Sequence, residues 1–230
     1  MKKHIPNTIT CLNLFSGCVG IVYAFDGQLQ TAACAILLAA VFDFLDGMVA
    51  RMLNAYSEIG KELDSLADVV SFGVLPSVIM YQLFLSTEPT ALIHPNVRFL
   101  AFMIAIFSAL RLAKFNVDSR QSEHFIGLPT PANALLIASL PMMLTHPVLS
   151  AFILNSYFLS AISIVMSLLL VAELPLVSLK FKSLSFANNI VRYILIIASG
   201  ILLLIFKFAA VPLILALYII LSIVHFKFFD

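Results

Sequence analysis

Long apolar runs separated by short polar breaks dominate this chain from end to end. A hydrocarbon core about 30 Å thick is crossed by about 20 residues of helix. On that ruler the pattern predicts helices over residues 5–25, 30–53, 59–86, 97–117, 129–148, 150–173, 190–206 and 208–228. Two divisions need a reason. Between His124 and Ala172 there is no Asp, Glu, Lys or Arg, a run too long for one crossing, and Thr145-His146-Pro147 supplies a turn. Lys207 divides the last apolar block in the same way. No internal repeat, low-complexity tract or soluble appendage interrupts the series. The expectation is an all-α polytopic membrane helix bundle of about eight transmembrane helices, one domain over 1–230. A six-helix core takes 1–175 and an additional helix pair takes 190–228.

Composition sharpens this picture. The chain is 62% hydrophobic and 11% charged, with a mean hydropathy of +1.07, whereas charged residues make up about a quarter of a soluble domain. A net charge of +1 provides no basic stripe to neutralise phosphates, so nucleic acid is excluded as a partner. Cys11, Cys18 and Cys34 lie in apolar runs without paired spacing and read as buried small hydrophobes, not as a disulfide or zinc framework. Lys2 and Lys3 precede an apolar run too long for a signal peptide and followed by no small-residue cleavage site, so residues 5–25 read as a first spanning helix. Of the 13 Lys and Arg residues, only Arg98 and Lys207 fall on the outer side once the amino terminus is placed in the cytoplasm. The other eleven (Lys2, Lys3, Arg51, Lys61, Arg111, Lys114, Arg120, Lys180, Lys182, Arg192 and Lys227) then lie inside, which orients both termini to the cytoplasm.

Candidate chemistry sits at the inner ends of the second and third predicted helices. Asp43 and Asp46 are three apart, and Asp64 and Asp68 are four apart, so each pair shares a helix face. Gly47, Ala50 and Gly60 continue those faces with small side chains, and Asn54-Ala-Tyr-Ser57 offers a turn with Ser57 as the cap of the third helix. A carboxylate near the bilayer core costs about 2.5–3.5 kcal/mol on insertion scales, which makes each one a functional hypothesis. Four acids at one locus call for cations, and all-oxygen ligands suit Mg²⁺ or Mn²⁺. Two such ions about 3.5–4 Å apart clamp a phosphate and stabilise both attacking and leaving oxygens. At the inner membrane interface the matching substrate is a lipid with a phosphate-ester head group. A structural carboxylate network and an ion-transport path are the other readings of the spacing.

The full pattern, Asp43-x2-Asp46-Gly47-x2-Ala50-Arg51-x8-Gly60-x3-Asp64-x3-Asp68, resembles the signature of the CDP-alcohol phosphatidyltransferase family at every fixed position. Eight specified residues at fixed offsets match by chance on the order of 10⁻¹⁰ per start position at average residue usage. Further segments are similar to the family's serine branch, the bacterial-type phosphatidylserine synthases. They are Ile5-Pro6-Asn7-Thr8-Ile9-Thr10-Cys-Leu-Asn13, Asp64-Ser65-Leu-Ala-Asp68-Val-Val-Ser71-Phe-Gly73, Ser108-Ala-Leu-Arg111-Leu-Ala-Lys114-Phe-Asn116 and Gly127-Leu-Pro129-Thr-Pro131.

The resemblance implies transfer of the phosphatidyl group from CDP-diacylglycerol to L-serine with release of CMP, in a homodimer of an inner membrane whose active site faces the cytoplasm. It implies that Asp43, Asp46, Asp64 and Asp68 hold two Mg²⁺ or Mn²⁺ ions, with Asp68 also the catalytic base for the serine hydroxyl. Gly47, Ala50, Arg51, Gly60, Asn7 and Thr10 would bind the CDP-lipid, and Arg111 with Lys114 one turn on would receive the serine carboxylate. Each has a blander alternative. Small residues permit close helix packing, Asn7, Thr10 and Asn13 can hydrogen-bond between helices, and Arg51, Arg111 and Lys114 can snorkel to head groups. His124, His146, Glu58, Glu62 and Glu173 carry no assigned chemistry. Rival functions are a sister transferase using glycerol 3-phosphate or inositol and, from another class, a divalent-cation transporter. A transporter would favour repeated halves around a midplane site.

Overall fold

The structure, a computed structural model, describes residues 4–88, 94–118, 125–177 and 189–228. Lys2, Lys3, Arg120, His124, Lys180 and Lys182, weighed above, lie outside the described residues. All eight expected segments are helical. Helices α1 (His4–Phe25) and α2 (Leu29–Met52) pack along one another, joined by a turn in which Gly27 takes φ +76°. Gly20 lies where a Cβ would come within 2.5 Å of Leu75 and 2.9 Å of Ala35, so α1 sits close on both neighbours through a position that holds no side chain.

The third span is continuous over Glu58–Leu85, but it is notched. Helix α3 (Glu58–Asp68) passes into one wide π turn, Val69–Val74, before α4 (Leu75–Leu85). Pro76 has no N–H to return to the carbonyl four residues back, and the Leu75 N–H bonds to the Val70 carbonyl instead. Such bulges recur at functional sites, and this one begins at Asp68. It presents Ser71 to the Asn13 carbonyl of α1 at 3.0 Å and sets Gly73 against Ser108.

A 3₁₀ segment, Pro95–Phe102, leads into α5 (Met103–Val117), the fourth expected span. The fifth is shorter than expected: α6 (Thr130–Met143) rises about 21 Å at 1.5 Å per residue. It stops where Leu144 bonds back to the Pro141 carbonyl and the predicted Thr145-His146-Pro147 turn begins. The sixth is divided. A short α7 (Pro147–Ile153) bends 68° into α8 (Ser156–Val171), and Asn155 caps α8 by accepting from the N–H groups of Tyr157 and Phe158. Lys207, at φ +51°, separates α9 (Ile190–Phe206) from α10 (Ala210–Phe228) as the sequence predicts.

Five apolar helical stretches are each long enough to cross a bilayer, and the bent α7–α8 pair makes a sixth. The all-α expectation gains one detail: β1 (Phe125–Ile126) pairs antiparallel with β2 (Pro175–Leu176). Between them, Gly127 at φ +77° faces the carbonyl of Leu170 so closely that a Cβ would lie 2.6 Å from it. The two strands thereby bind the start of α6 to the end of α8.

Candidate active site

The α2–α3 turn aims the acids. Helix α2 ends in a Schellman arrangement, in which Asn54 at φ +48° bonds back to the Arg51 carbonyl and Ala55 to the Ala50 carbonyl. Three residues later the Ser57 hydroxyl accepts from the Gly60 N–H at 3.1 Å, the cap expected from the sequence. The chain reverses tightly, and α3 brings its acids to those of α2. One oxygen from each of Asp43, Asp64 and Asp68 lies within 4.8 Å of the others.

Asp46 stands beside this triad rather than within it. Its Oδ2 accepts a 2.6 Å hydrogen bond from the Thr10 hydroxyl, and it still repels Asp43 and Asp64 electrostatically. Asp68 accepts from the Asn13 Nδ2 at 3.2 Å. Helix α1 therefore reaches two of the four acids through residues three apart on one face. Asn13 itself is fully buried and is steadied by the Ser71 bond to its backbone.

The donor set fits a hard divalent ion. Three carboxylates converge, Asp64 Oδ1 is buried without a hydrogen-bond donor, and among the described residues neither thiolate nor imidazole joins them. Like charges 4 Å apart repel by about 4 kcal/mol at the effective dielectric of a protein surface, a repulsion that a cation reverses.

Two cavities take up the remaining predicted site residues but Arg51. One, of about 230 Å³, is lined by Asn7, Thr10, Asp46, Gly47, Ala50 and Gly60, together with Asp64. A Cβ on Gly47 would meet nothing within 4 Å, so this glycine opens the cavity and does not serve helix packing. Gly60 differs: its Cβ would lie 2.9 Å from the Ser57 hydroxyl and 3.0 Å from Asn7, so it permits close approach of α1. Arg51 is exposed, lies outside the cavity lining, and donates its Nε to the Gly47 carbonyl at 3.0 Å.

The second cavity, of about 260 Å³, is walled by Arg111 and Lys114 together with Asp118, Ile126 and Glu173. Arg111 is 6% exposed, an unusual burial for a guanidinium, with its Nε unpartnered and its Cζ 5.8 Å from the Phe115 ring centre. It interacts electrostatically with Asp68. Lys114 remains exposed. The geometry therefore gathers the Asn7, Thr10, Gly47, Ala50 and Gly60 set around one cavity and the Arg111–Lys114 pair around the other.

Several site residues escape a reading of the sequence. Tyr56 and Lys61 line the first cavity, and Asp118 and Glu173 the second. Lys61 donates to the Asn116 carbonyl at 3.1 Å, and the Asn116 amide donates to Ser65 at 2.9 Å, which staples α3 to the end of α5. For Glu173 the only available signal is position, an acid at the end of a predicted span on the same side as Arg111.

Residues 3–173 match the family model described as CDP-alcohol phosphatidyltransferase. A CDP-diacylglycerol–serine O-phosphatidyltransferase of Mycobacterium leprae (strain TN) is 38% identical over 143 residues, covering 59% of this chain and 46% of that protein. One of the same name from Helicobacter pylori (strain J99) is 41% identical over 134 residues, covering 57% of this chain and 54% of that protein. An archaetidylserine synthase of Methanothermobacter thermautotrophicus is 34% identical over 165 residues, covering 70% of this chain and 66% of that protein. The chain thus spans about half the length of the first two of these relatives.

Proposed function

Because this chain belongs to the CDP-alcohol phosphatidyltransferase family and is an integral membrane protein, we propose that it transfers the phosphatidyl group of CDP-diacylglycerol to L-serine, giving phosphatidylserine and CMP. The observation that carries this reading is the convergence of Asp43, Asp64 and Asp68 at the edge of a glycine-opened cavity that Asp46 and Asp64 line. The similarity to two serine O-phosphatidyltransferases supports serine over glycerol 3-phosphate or inositol. Family membership favours transfer over cation transport.

In this reading Asp43, Asp46, Asp64 and Asp68 hold Mg²⁺ or Mn²⁺, two ions by the count of acids, which when bound neutralise the pyrophosphate and polarise the lipid-side phosphorus. Gly47 and Ala50 let the nucleotide approach the α2 backbone, with Asn7, Thr10 and Gly60 on the facing wall. Arg51 reaches the phosphates by releasing the Gly47 carbonyl. Thr10 and Asn13 fix the directions of the Asp46 and Asp68 carboxylates. Arg111, with Lys114 at the rim, receives the serine carboxylate. Asp68 takes the proton from the serine hydroxyl as its oxygen bonds to the lipid-side phosphorus and the bond from that phosphorus to the CMP oxygen breaks. Positioning and charge neutralisation supply most of what phosphoryl transfer needs.

The lysine and arginine asymmetry supports both termini and the aspartate site facing the cytoplasm, in a bacterial-type inner membrane. Catalysis is assigned to the six-helix part, 1–175, of the single membrane domain. A homodimer is the assembly that the family resemblance favours. Purified protein given CDP-diacylglycerol with serine, glycerol 3-phosphate and inositol in parallel is expected to release CMP with serine. Release driven by another alcohol instead would move the chain to a sister activity.

Arg111→Ala is expected to raise the serine KM by roughly 10- to 100-fold, the loss of a charge-assisted hydrogen bond of about 1.5–3 kcal/mol. The KM for the CDP-lipid should stay close to its unsubstituted value. Equal weakening toward both substrates would remove Arg111 from the acceptor pocket.

A further inference from the structure

The C-terminal helix α10 lies beyond the family-matched segment, yet it packs against β2, which follows Glu173 in the wall of the Arg111 cavity. Tyr218 and Ser222, one turn apart on α10, grip both backbone groups of a single residue. The Tyr218 hydroxyl donates to the Val177 carbonyl at 3.1 Å, and the Val177 N–H donates to the Ser222 hydroxyl at 3.2 Å. All three residues are buried: Tyr218 is 8% exposed, Val177 5% and Ser222 1%. Backbone groups with no water to bind must be satisfied inside the protein. Side chains of α10 here stand where the next strand of the ladder would stand.

Val177 directly follows β2, and β2 is paired to β1, so its position is transmitted to the cavity. Ile126 of β1 and Glu173, just before β2, both line the space next to Arg111. The Gly127 N–H donates to the Leu174 carbonyl at 2.9 Å, tying the same two segments a second time. A second link acts through space. Arg111 interacts electrostatically with Tyr218 as well as with Asp68. The Tyr218 proton is committed to the Val177 carbonyl, which fixes the direction of the hydroxyl dipole within the field of Arg111.

We propose that α10 completes the acceptor site, with Tyr218 a positioning residue that, through Val177 and the β1–β2 pair, sets the wall of the cavity that faces Arg111. This rests on the reading of Arg111 as the group that receives the acceptor alcohol. Tyr218 touches no reacting atom. Its effect falls on acceptor recognition, not on the carboxylates of α2 and α3.

The test uses the full chain with CDP-diacylglycerol at saturation and the acceptor varied. Tyr218→Phe keeps the ring and removes the hydroxyl. It is expected to raise the serine KM roughly 3- to 10-fold, the loss of one neutral hydrogen bond, with kcat and the CDP-lipid KM held to within about twofold. Combined with Arg111→Ala, it should add little further loss, because the two changes remove one arrangement. Ser222→Ala, acting only through Val177, should raise the serine KM less than Tyr218→Phe.

An unchanged serine KM in Tyr218→Phe overturns the proposal. So does a parallel loss for both substrates together with a lowered unfolding midpoint, which would make α10 a strut. The unsubstituted protein, run beside the variants, separates this from failure of the functional reading. If it releases CMP only with another alcohol, serine is the wrong acceptor, and the same titration with that alcohol decides the role of Tyr218. If no alcohol supports release, both readings fall.

Discussion

Asp68→Asn is expected to lower kcat by roughly 10²- to 10⁴-fold, the range contributed by a positioned general base, while CDP-diacylglycerol binding stays within reach of the unsubstituted protein. The substitution is nearly isosteric. Asn13 donates to one Asp68 oxygen at 3.2 Å, and an asparagine can present its carbonyl oxygen to that donor, so the helix contact survives. The second position becomes an amide nitrogen, which cannot take a proton. Asp68 is the natural candidate because it belongs to the triad with Asp43 and Asp64 and is the carboxylate of that triad that acts electrostatically on the Arg111 guanidinium. A serine held by Arg111 therefore presents its hydroxyl on the Asp68 side. Binding of the CDP-lipid, measured with radiolabelled substrate, distinguishes loss of the base from loss of the whole site. Near-normal serine incorporation by Asp68→Asn would remove the base assignment and leave the residue a ligand only.

Much of this arrangement is legible before any coordinates. The acids are readable because helical periodicity alone puts Asp43 with Asp46 and Asp64 with Asp68, and because carboxylates beside apolar runs are too costly to be incidental. Ser57 and Lys207 are readable for local reasons, a capping side chain and a charge that interrupts an apolar block. What stays hidden is tertiary. The π turn after Asp68 arises from Pro76 and from contacts of Ser71 with α1 and of Gly73 with α5. Asp46 departs from the triad because Thr10, 36 residues away, holds it. The β1–β2 pair is too short to leave a periodic trace, and Tyr218 looks like any interfacial tyrosine until its bond to Val177 is seen. Asn155 is the exception. A capping residue before Ser156 marks a helix start that a rule based on span length passes over.

Removing divalent cations should abolish turnover outright, a larger effect than any single substitution short of the acids themselves. Three carboxylate oxygens within 4.8 Å, with Asp46 adjacent, form a locus where charge accumulates without a lysine or arginine in the triad. Bringing a pyrophosphate to that locus adds further negative charge, more than the two cations on the α2–α3 side, Arg51 and Lys61, offset. Arg51 must first release the Gly47 carbonyl, Lys61 donates to the Asn116 carbonyl, and Arg111 lines the second cavity. Treatment with EDTA is therefore expected to bring serine-dependent CMP release to background, and Mg²⁺ or Mn²⁺ to restore it. A second readout does not depend on activity. An ion that binds only the folded bundle raises its unfolding midpoint with concentration, by about 2.7 kcal/mol of stability at 100 times its Kd. Asp43→Asn and Asp64→Asn should both flatten that dependence, because each removes a converging oxygen. Residual CMP release after EDTA, or a midpoint indifferent to both ions, would mean that the acids hold the helices together by shared protons and hydrogen bonds, and the phosphate would then have to be neutralised by Arg51, Lys61 and Arg111 alone.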